Sequence, residues 1–412
     1  MIQKSYENTH TRLGVLGAGQ LSLMLIEAAK QMGYAVDIVA DSSNDPAAPE
    51  ASKVVVGNVT DIPRLQVFLS QVDCVAIEKE LTDPEVFRAI PATELSKIHP
   101  ALDAVALCSD KLRQKHKLKE IGVPTSPWEE FSPGKNSAEA WLAKLQERFP
   151  GGFVIKWARG GFDGRGTCIV KELSPKMKNH AASFMQKASQ AGTEVYGEEL
   201  IPFECEVAVV AVRKASDETT VYPTVLTLQW EGICSEVQGP AAAFVGRSTV
   251  PQLEIAEALA RKVGQGFSLV GTYAVEFFVT KDGRVLVNEI APRVHNSGHF
   301  TLQGAQTSQF ENHWRALLNL PLGSTETSPY FGMVNILGPE NYEGKATPPY
   351  HIETPDISVK WYGKHTSRAR RKMGHINILA NSKAELGHRM EIVRNALGSW
   401  STSYGEKTDG KQ

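Results

Sequence analysis

Two glutamates in the stretch Ala274–Ile290 combine type and spacing in a way that points to metal–phosphate chemistry. Glu276 and Glu289 stand equidistant from Asp282-Gly283, a dipeptide that favours a two-residue hairpin turn because both residues tolerate positive φ. The two carboxylates are then expected to face each other across the ladder. Like charges opposed on a sheet are destabilising, and desolvating them adds to the cost. A shared proton or a lysine could offset this, but a divalent cation does so better. Mg²⁺ takes one or two carboxylates and completes its shell with nucleotide phosphates. Asn288 joins such a site only if the strand bulges, since strict alternation sends it to the other face. Phe278 and Val287 share the carboxylate face by parity and argue against the alternative, a fully solvated hairpin. Directly after come Arg293, His295, Asn296, Ser297 and His299. They offer a cation, titratable imidazoles and amide and hydroxyl donors on one irregular segment, as an anionic intermediate would require.

Three further segments could hold anions. Gly17-Ala-Gly-Gln-Leu-Ser22 follows a strand and opens a helix, and Asp41 ends the next strand. Taken alone this suggests dinucleotide binding, although Ser22 stands where the fingerprint has its third glycine. A tight strand–helix turn without ligand fits equally well. Lys156 precedes Gly160-Gly-Phe-Asp-Gly-Arg-Gly166, where four glycines in seven residues free the backbone to fold over phosphate oxygens. It lacks the G-K-[ST] ending of a P-loop. The basic run Arg368-Ala-Arg-Arg-Lys372 reads, by itself, as a solvated face.

The elements that must position these residues follow from the apolar pattern. Short apolar runs at Leu13–Leu16, Ala35–Ala40, Val54–Val56 and Cys74–Ile77, with a helix over about 21–32, imply a doubly wound parallel sheet ending near residue 103. Helices are expected over about 109–121 and 308–318, and a strand at Phe153–Lys156. The C-terminal part, about 328–395, is expected to carry short strands, the basic run and a final helix over 383–396. Residues 1–11 and 396–412 are expected to be tails. With 412 residues, 42% hydrophobic, and a formal net charge of −2, the chain has length for two to four domains and no global field for nucleic acid or an anionic membrane. The five cysteines form no C-x-x-C pair and read as buried thiols in a reducing compartment. Met1–Thr11 lacks an apolar signal core, and no apolar run approaches the roughly 20 residues of a membrane span. A cytoplasmic location is the expectation.

Taken in order along the chain, several motifs resemble the ATP-grasp ligases, and among them the 5-(carboxyamino)imidazole ribonucleotide synthases. They are Gly160–Gly166, Glu198-Glu-Leu-Ile-Pro-Phe-Glu-Cys-Glu206, Asn288-Glu-Ile-Ala-Pro-Arg-Val-His-Asn-Ser-Gly-His299, Thr307-Ser-Gln-Phe310 and Arg371-Lys-Met-Gly-His375. The resemblance implies an α/β chain in three parts: a Rossmann-like domain over 12–103, an ATP-grasp domain over 104–327 with a lid at about 128–190, and a small β-rich domain over 328–395. It implies that Lys111, Lys156 and the loop Gly161, Phe162, Asp163, Gly164, Arg165, Gly166 and Thr167 contact ATP phosphates. Glu198, Glu199, Leu200 and Ile201 would form the hinge reading adenine, with Glu206 on the ribose. Gln229, Asn288 and Glu289 would complete the ATP site. Glu276 and Glu289 would hold Mg²⁺, with Mn²⁺ as an alternative. Arg293, His295, Arg165 and Lys372 would act on the bicarbonate-derived intermediate. Gln20, Leu21, Glu78, Asn296, Ser297, Lys364, Arg371 and Lys372 would surround the ribonucleotide. The implied reaction carboxylates the amine of aminoimidazole ribonucleotide through carboxyphosphate, in a homodimer without nucleic-acid or membrane partners.

The chain departs from the family at named positions. Gly19-Gln-Leu-Ser-Leu-Met24 replaces the usual Gly-Gln-Leu-Gly-Arg-Met, Lys79 stands in place of an aromatic between Glu78 and Glu80, Gln229 replaces a frequent histidine, and Lys111 a frequent arginine. A related ligase with another small acceptor, a non-catalytic nucleotide-binding paralogue, and more distantly a nicotinamide enzyme are the competing expectations.

Overall fold

The structure is a computed structural model and describes residues 11–79, 84–161, 166–230 and 232–405. Its first layer is the expected parallel sheet. The strands Lys53–Val56, Ala35–Ala40, Arg12–Leu16, Cys74–Ile77 and Ile98–His99 lie in that spatial order, every pairing parallel. Near-continuous apolar runs suit strands covered on both faces. The exception is Asp37, almost fully buried, whose carboxylate takes the Arg12 guanidinium at 2.8 Å. Helix Gln20–Gln31 covers one face, and Met24, Leu25 and Ile26 of it are fully buried. Phe310 and Trp314 of helix Gln309–Leu317 enter this same core, and Trp314 Nε1 donates to Leu25 O at 2.8 Å. The first layer is therefore welded to the rest of the chain by apolar packing.

The central layer is a nine-stranded sheet. Its antiparallel order runs from Val285–Ala291 through Gly271–Thr280, Phe203–Arg213, Val225–Trp230 and Ile233–Gly239, then on to Tyr330–Leu337, Lys372–Ala380 and Ile357–Trp361, and the ninth strand, Thr219–Val221, pairs with Phe203–Arg213 off this path. The C-terminal strands thus continue the central sheet, joined by pairing of Gln238 with Gly332 and Glu236 with Val334. A third, four-stranded antiparallel sheet spans Trp128–Glu130, Val195–Glu199, Phe153–Trp157 and Thr167–Val170, with helices Ala138–Arg148 and Pro175–Gln190 packed together on it.

The last helix corrects the expectation for the C-terminus. It runs from Lys383 to Gly405 and does not stop at Ala396. Trp400 and Tyr404 are buried in the C-terminal core, and both tie to Thr347: Trp400 Nε1 donates to its carbonyl at 2.9 Å and its N–H donates to the Tyr404 hydroxyl at 2.7 Å. Two aromatic anchors four residues apart fix a turn that polarity alone reads as tail. Among the described residues, no helix is long and apolar enough to cross a membrane. All five cysteines are free, four of them buried.

Candidate nucleotide and ribonucleotide site

Glu276 and Glu289 do face each other, but by a route that differs from the expected two-residue turn. Close to the turn the pairs are Val279 with Val285, Phe278 with Leu286 and Phe277 with Val287. Gly283, at φ +81°, closes a three-residue loop, with Thr280 N–H donating to Arg284 O at 3.0 Å. A bulge then inserts Asn288 and restores the pairing of Glu276 with Glu289. Two irregularities cancel at the carboxylates. Between them they send Val287 to the opposite, fully buried face and leave Asn288 free of strict alternation. Asn288 Oδ1 consequently accepts from Lys156 Nζ at 3.3 Å.

Three carboxylates share this face. Ala208 pairs with Glu276, and Glu206 lies two residues back on the same strand, opposite Phe278. Burial, then the charges of Glu289 and Glu206, push the Glu276 carboxyl up to about 7. Burial raises Glu206 to about 7 as well, against the pull of Lys156. Among the described residues no group of three or more His, Cys, Asp or Glu side chains is arranged to hold a metal unaided. Glu276 and Glu289 form a two-carboxylate, all-oxygen donor pair, which fits Mg²⁺ completed by phosphate oxygens.

The lysines come from two other elements. Asp110 caps helix Lys111–Glu120 by accepting from the Leu112 and Arg113 N–H groups. This fixes the helix start so that Lys111 and Lys115, one turn apart, share a face. Lys111 Nζ lies 3.4 Å from Glu289 Oε2. Lys115 and Lys156 both reach the buried Glu198, at 2.6 Å and 2.5 Å to its two oxygens. Burial alone would raise the Glu198 pKa, but the two ammonium groups win and hold it at about 2. At Lys115 the balance is reversed, and burial draws its pKa below the lysine range despite Glu198. A carboxylate with a depressed folded-state pKa contributes stability that is complete above its unfolded value, about 4.3, and vanishes as pH falls through the folded value. Glu198→Gln should therefore flatten the acid-unfolding profile between about pH 4.5 and 2. Equal steepness of variant and parent in an acid titration of denaturant midpoints would refute this.

The remaining expected residues divide by location. Gly161 and Gly166 close the base of the glycine loop so tightly that a Cβ on Gly166 would lie 2.4 Å from Gly161 Cα. Thr167 pairs with Lys156 across the hairpin. Phe162, Asp163, Gly164 and Arg165 lie outside the described residues, as does Glu80. Glu199, Leu200 and Ile201 link the four-stranded sheet to the central strand Phe203–Arg213, which is a hinge position. Gln229 is half-buried opposite Cys234.

His295 Nε2 stands 3.8 Å from Glu276 Oε1, and its Nδ1 is 2.9 Å from Ser297 Oγ. Burial, then Arg293 and Lys372, lower the His295 pKa to about 3, so the imidazole is neutral at physiological pH. Gln309 braces the segment from both sides, accepting from His295 N–H at 2.9 Å and donating to His295 O at 2.7 Å. Asn296 lies against the Cys234 thiol, whose pKa burial raises. Lys372 begins the strand Lys372–Ala380, and its carbonyl accepts from Lys364 Nζ at 2.7 Å. Arg371 donates to Thr366 O at 2.5 Å and lies within electrostatic reach of Arg368 and Asp45 of the first layer. The basic run therefore sits at the junction of first and last layers, where a simple solvated face would not.

In the first loop the positive helix end already holds a carboxylate. Glu78 accepts from Gly19 N–H at 2.6 Å, Leu21 N–H at 3.0 Å and Ser22 Oγ–H at 2.5 Å. Gly19 is needed for that approach, because a Cβ there would lie 2.4 Å from a Glu78 oxygen. Asp41 is paired with Lys79 at 2.8 Å. Both features a nicotinamide dinucleotide would use are thus engaged internally, which counts against that expectation. Ser22, read from sequence as a lost glycine, is instead a third donor to Glu78. Ser22→Ala should destabilise the chain by roughly 1.5 kcal/mol, the usual worth of a hydrogen bond to a charged group. Urea unfolding of both chains measures it, and an unchanged midpoint would count against the bond.

Known proteins share this arrangement along the whole chain. Residues 10–109 match the ribonucleotide synthetase preATP-grasp domain, 116–310 the ATP-grasp domain, and 332–389 the phosphoribosylaminoimidazole carboxylase C-terminal domain. The N5-carboxyaminoimidazole ribonucleotide synthase of Mycobacterium bovis is 32% identical over 97% of this chain and 89% of its own. The carboxyaminoimidazole ribonucleotide synthase of Aspergillus clavatus complexed with ATP superposes with a TM-score of 0.82 at 30% identity, covering 94% of this chain and 98% of that one. The same enzyme in complex with ADP and 5-aminoimidazole ribonucleotide gives 0.79 at 28% identity, covering 94% and 99%. With all three domains matched in order and full-length relatives above 30% identity, the chain belongs to the N5-carboxyaminoimidazole ribonucleotide synthase family of ATP-grasp ligases.

Proposed function

We propose that this enzyme carboxylates the amine of 5-aminoimidazole ribonucleotide, consuming ATP and bicarbonate and releasing ADP and phosphate. The observation that carries the reading is the opposed pair Glu276–Glu289, set beside Lys111 and Lys156 on one side and His295 on the other. Family membership supplies the substrates, since relatives bind ATP or ADP with 5-aminoimidazole ribonucleotide.

In this reading Lys111, Lys156 and the backbone of the Gly161–Thr167 loop hold the phosphates, the backbone of Glu198–Ile201 frames the adenine, and Glu206 meets the ribose. Glu276 and Glu289 hold Mg²⁺, which when bound neutralises charge on the transferring phosphoryl group. A bicarbonate oxygen attacks the γ-phosphorus, ADP departs, and carboxyphosphate forms. The ribonucleotide amine then attacks the carboxyl carbon, directly or after CO₂ is released, and phosphate leaves. Arg293 and Lys372 supply the fixed cations for the anionic intermediate. Neutral His295, whose Nδ1 accepts from Ser297 N–H, carries its proton on Nε2 and presents it as a hydrogen-bond donor on the Glu276 side of the site, beside the bicarbonate-derived intermediate. Gln20, Glu78, Lys364 and Arg371 place the ribonucleotide between first and last layers. The four-stranded sheet over 128–199 is the lid that excludes water from carboxyphosphate. A homodimer in the cytoplasm completes the proposal.

Bicarbonate-dependent ADP release from Mg-ATP, with and without aminoimidazole ribonucleotide, tests it. Strong stimulation by the ribonucleotide is expected. ADP release stimulated by a different amine instead would overturn the acceptor assignment, and absence of any release would overturn the catalytic one.

A further inference from the structure

Lys115 has no place in the nucleotide site as described, yet it is the most buried lysine of the cluster, 3% exposed. Its ammonium is fully engaged: Glu198 Oε2 at 2.6 Å, Thr125 Oγ1 at 2.8 Å and Ser126 O at 3.2 Å, with the Tyr196 ring centroid 6.0 Å away. Thr125 Oγ1 in turn donates to Val287 O at 2.8 Å, next to the Asn288 bulge. Four groups converge on one ammonium, and none of them is mobile solvent. Lys156, which shares Glu198, is less buried, with 13% of its side chain accessible against 4% for Lys115.

The two lysines therefore hold Glu198 unequally. Lys156 is bound by the carboxylate and by Asn288 Oδ1 at 3.3 Å, on the open side of the site. To give its full charge to a phosphate it must loosen its hold on Glu198. Were Lys156 the sole cation there, its departure would leave a buried carboxylate unpaired, which costs several kcal/mol. With Lys115 in place the carboxylate stays paired.

We propose that Lys115 is a positioning residue that keeps Glu198 neutralised, so that Lys156 is free to transfer from Glu198 to the nucleotide phosphates. Lys115 touches no substrate in this account. It sets how strongly Glu198 competes with ATP for Lys156. The inference rests on the placement of ATP at Lys156 given under the proposed function.

The test is Mg-ATP binding and steady-state kinetics on the full chain. Lys115→Met leaves Lys156 as the main counter-charge of Glu198, and should raise Kd and KM for ATP by about tenfold while kcat changes less. Adding Glu198→Gln removes the competitor and should bring Kd back to within about threefold of the parent. A merely structural lysine predicts no such recovery. A folded Lys115→Met chain with parental ATP affinity would overturn the proposal, as would a double variant that stays as weak as the single. If Lys115→Met does not fold, Glu198→Gln alone is compared with the double variant. Equal ATP affinity in the two is expected, and a loss of about tenfold in the double variant overturns the proposal. A parent chain that binds no Mg-ATP overturns the nucleotide reading itself, whereas parental binding with an indifferent Lys115 overturns this inference alone.

Discussion

Glu289→Gln should lower ATP turnover by roughly 10³-fold or more, because in the proposed reaction it removes one of the two carboxylates that would hold the metal beside the transferring phosphoryl group. Stability should move little, since two effects oppose. The substitution relieves repulsion of the Glu276 carboxylate, which burial and Glu289 have pushed up to about 7. It also removes the partner of Lys111 at 3.4 Å, an ion pair whose carboxylate is 43% accessible and contributes correspondingly little. A melting temperature within a few degrees of the parent is expected for a chain of this size. ADP release together with a thermal melt decides the matter. Retained turnover would remove Glu289 from the metal site, and a collapsed melt would make it a structural residue.

Trp314→Ala carries the largest expected effect on stability. The ring is fully buried in the core of the first layer, although Trp314 belongs to the helix Gln309–Leu317 beyond the Glu276–Glu289 hairpin. Truncation empties a large volume and removes the 2.8 Å hydrogen bond to Leu25 O. A loss of about 3–5 kcal/mol follows from cavity formation. The same helix carries Gln309, which braces His295, so the weakened chain should also lose turnover before it unfolds. Calorimetry and activity at sub-denaturing urea measure the two losses; a Tm shift of under about 2 °C would show that the layers do not depend on this anchor.

Where periodicity was strong, the sequence was easy to read. The run Ala35–Ala40 is a strand with the expected bounds, and the expected 308–318 helix is Gln309–Leu317 with Ser308 as its cap. The opposition of Glu276 and Glu289 was legible too, although through a turn of the wrong length and without the Asn288 bulge that compensates. One-residue insertions leave no mark on composition, and here two of them cancel. The last turns of the final helix look polar in sequence, and their anchors, Trp400 and Tyr404, pair with Thr347 far away along the chain, so polarity alone ends the helix too early. The capture of Glu78 by Ser22, and the use of Lys115 to hold Glu198, depend on side chains brought together across 56 and 83 residues. Lys115 left one local signal, its position one turn after Lys111. The basic run at 368–372 could not be separated from a solvated face without the first layer that it meets.

The strands at 330–337 and 372–380 continue the sheet that bears Glu206, Glu276 and Glu289, so Lys372 and the carboxylate hairpin ride on one stiff plate. Lys156 and the glycine loop ride on the other sheet, across the link Glu199–Ile201. Under the proposed site assignments, movement of that flap changes the grip on ATP without disturbing the span between the carboxylates and the residues proposed to hold the acceptor. A slack link therefore shows itself as slippage, more ATP spent per carboxylated product, with the affinity for the acceptor left intact.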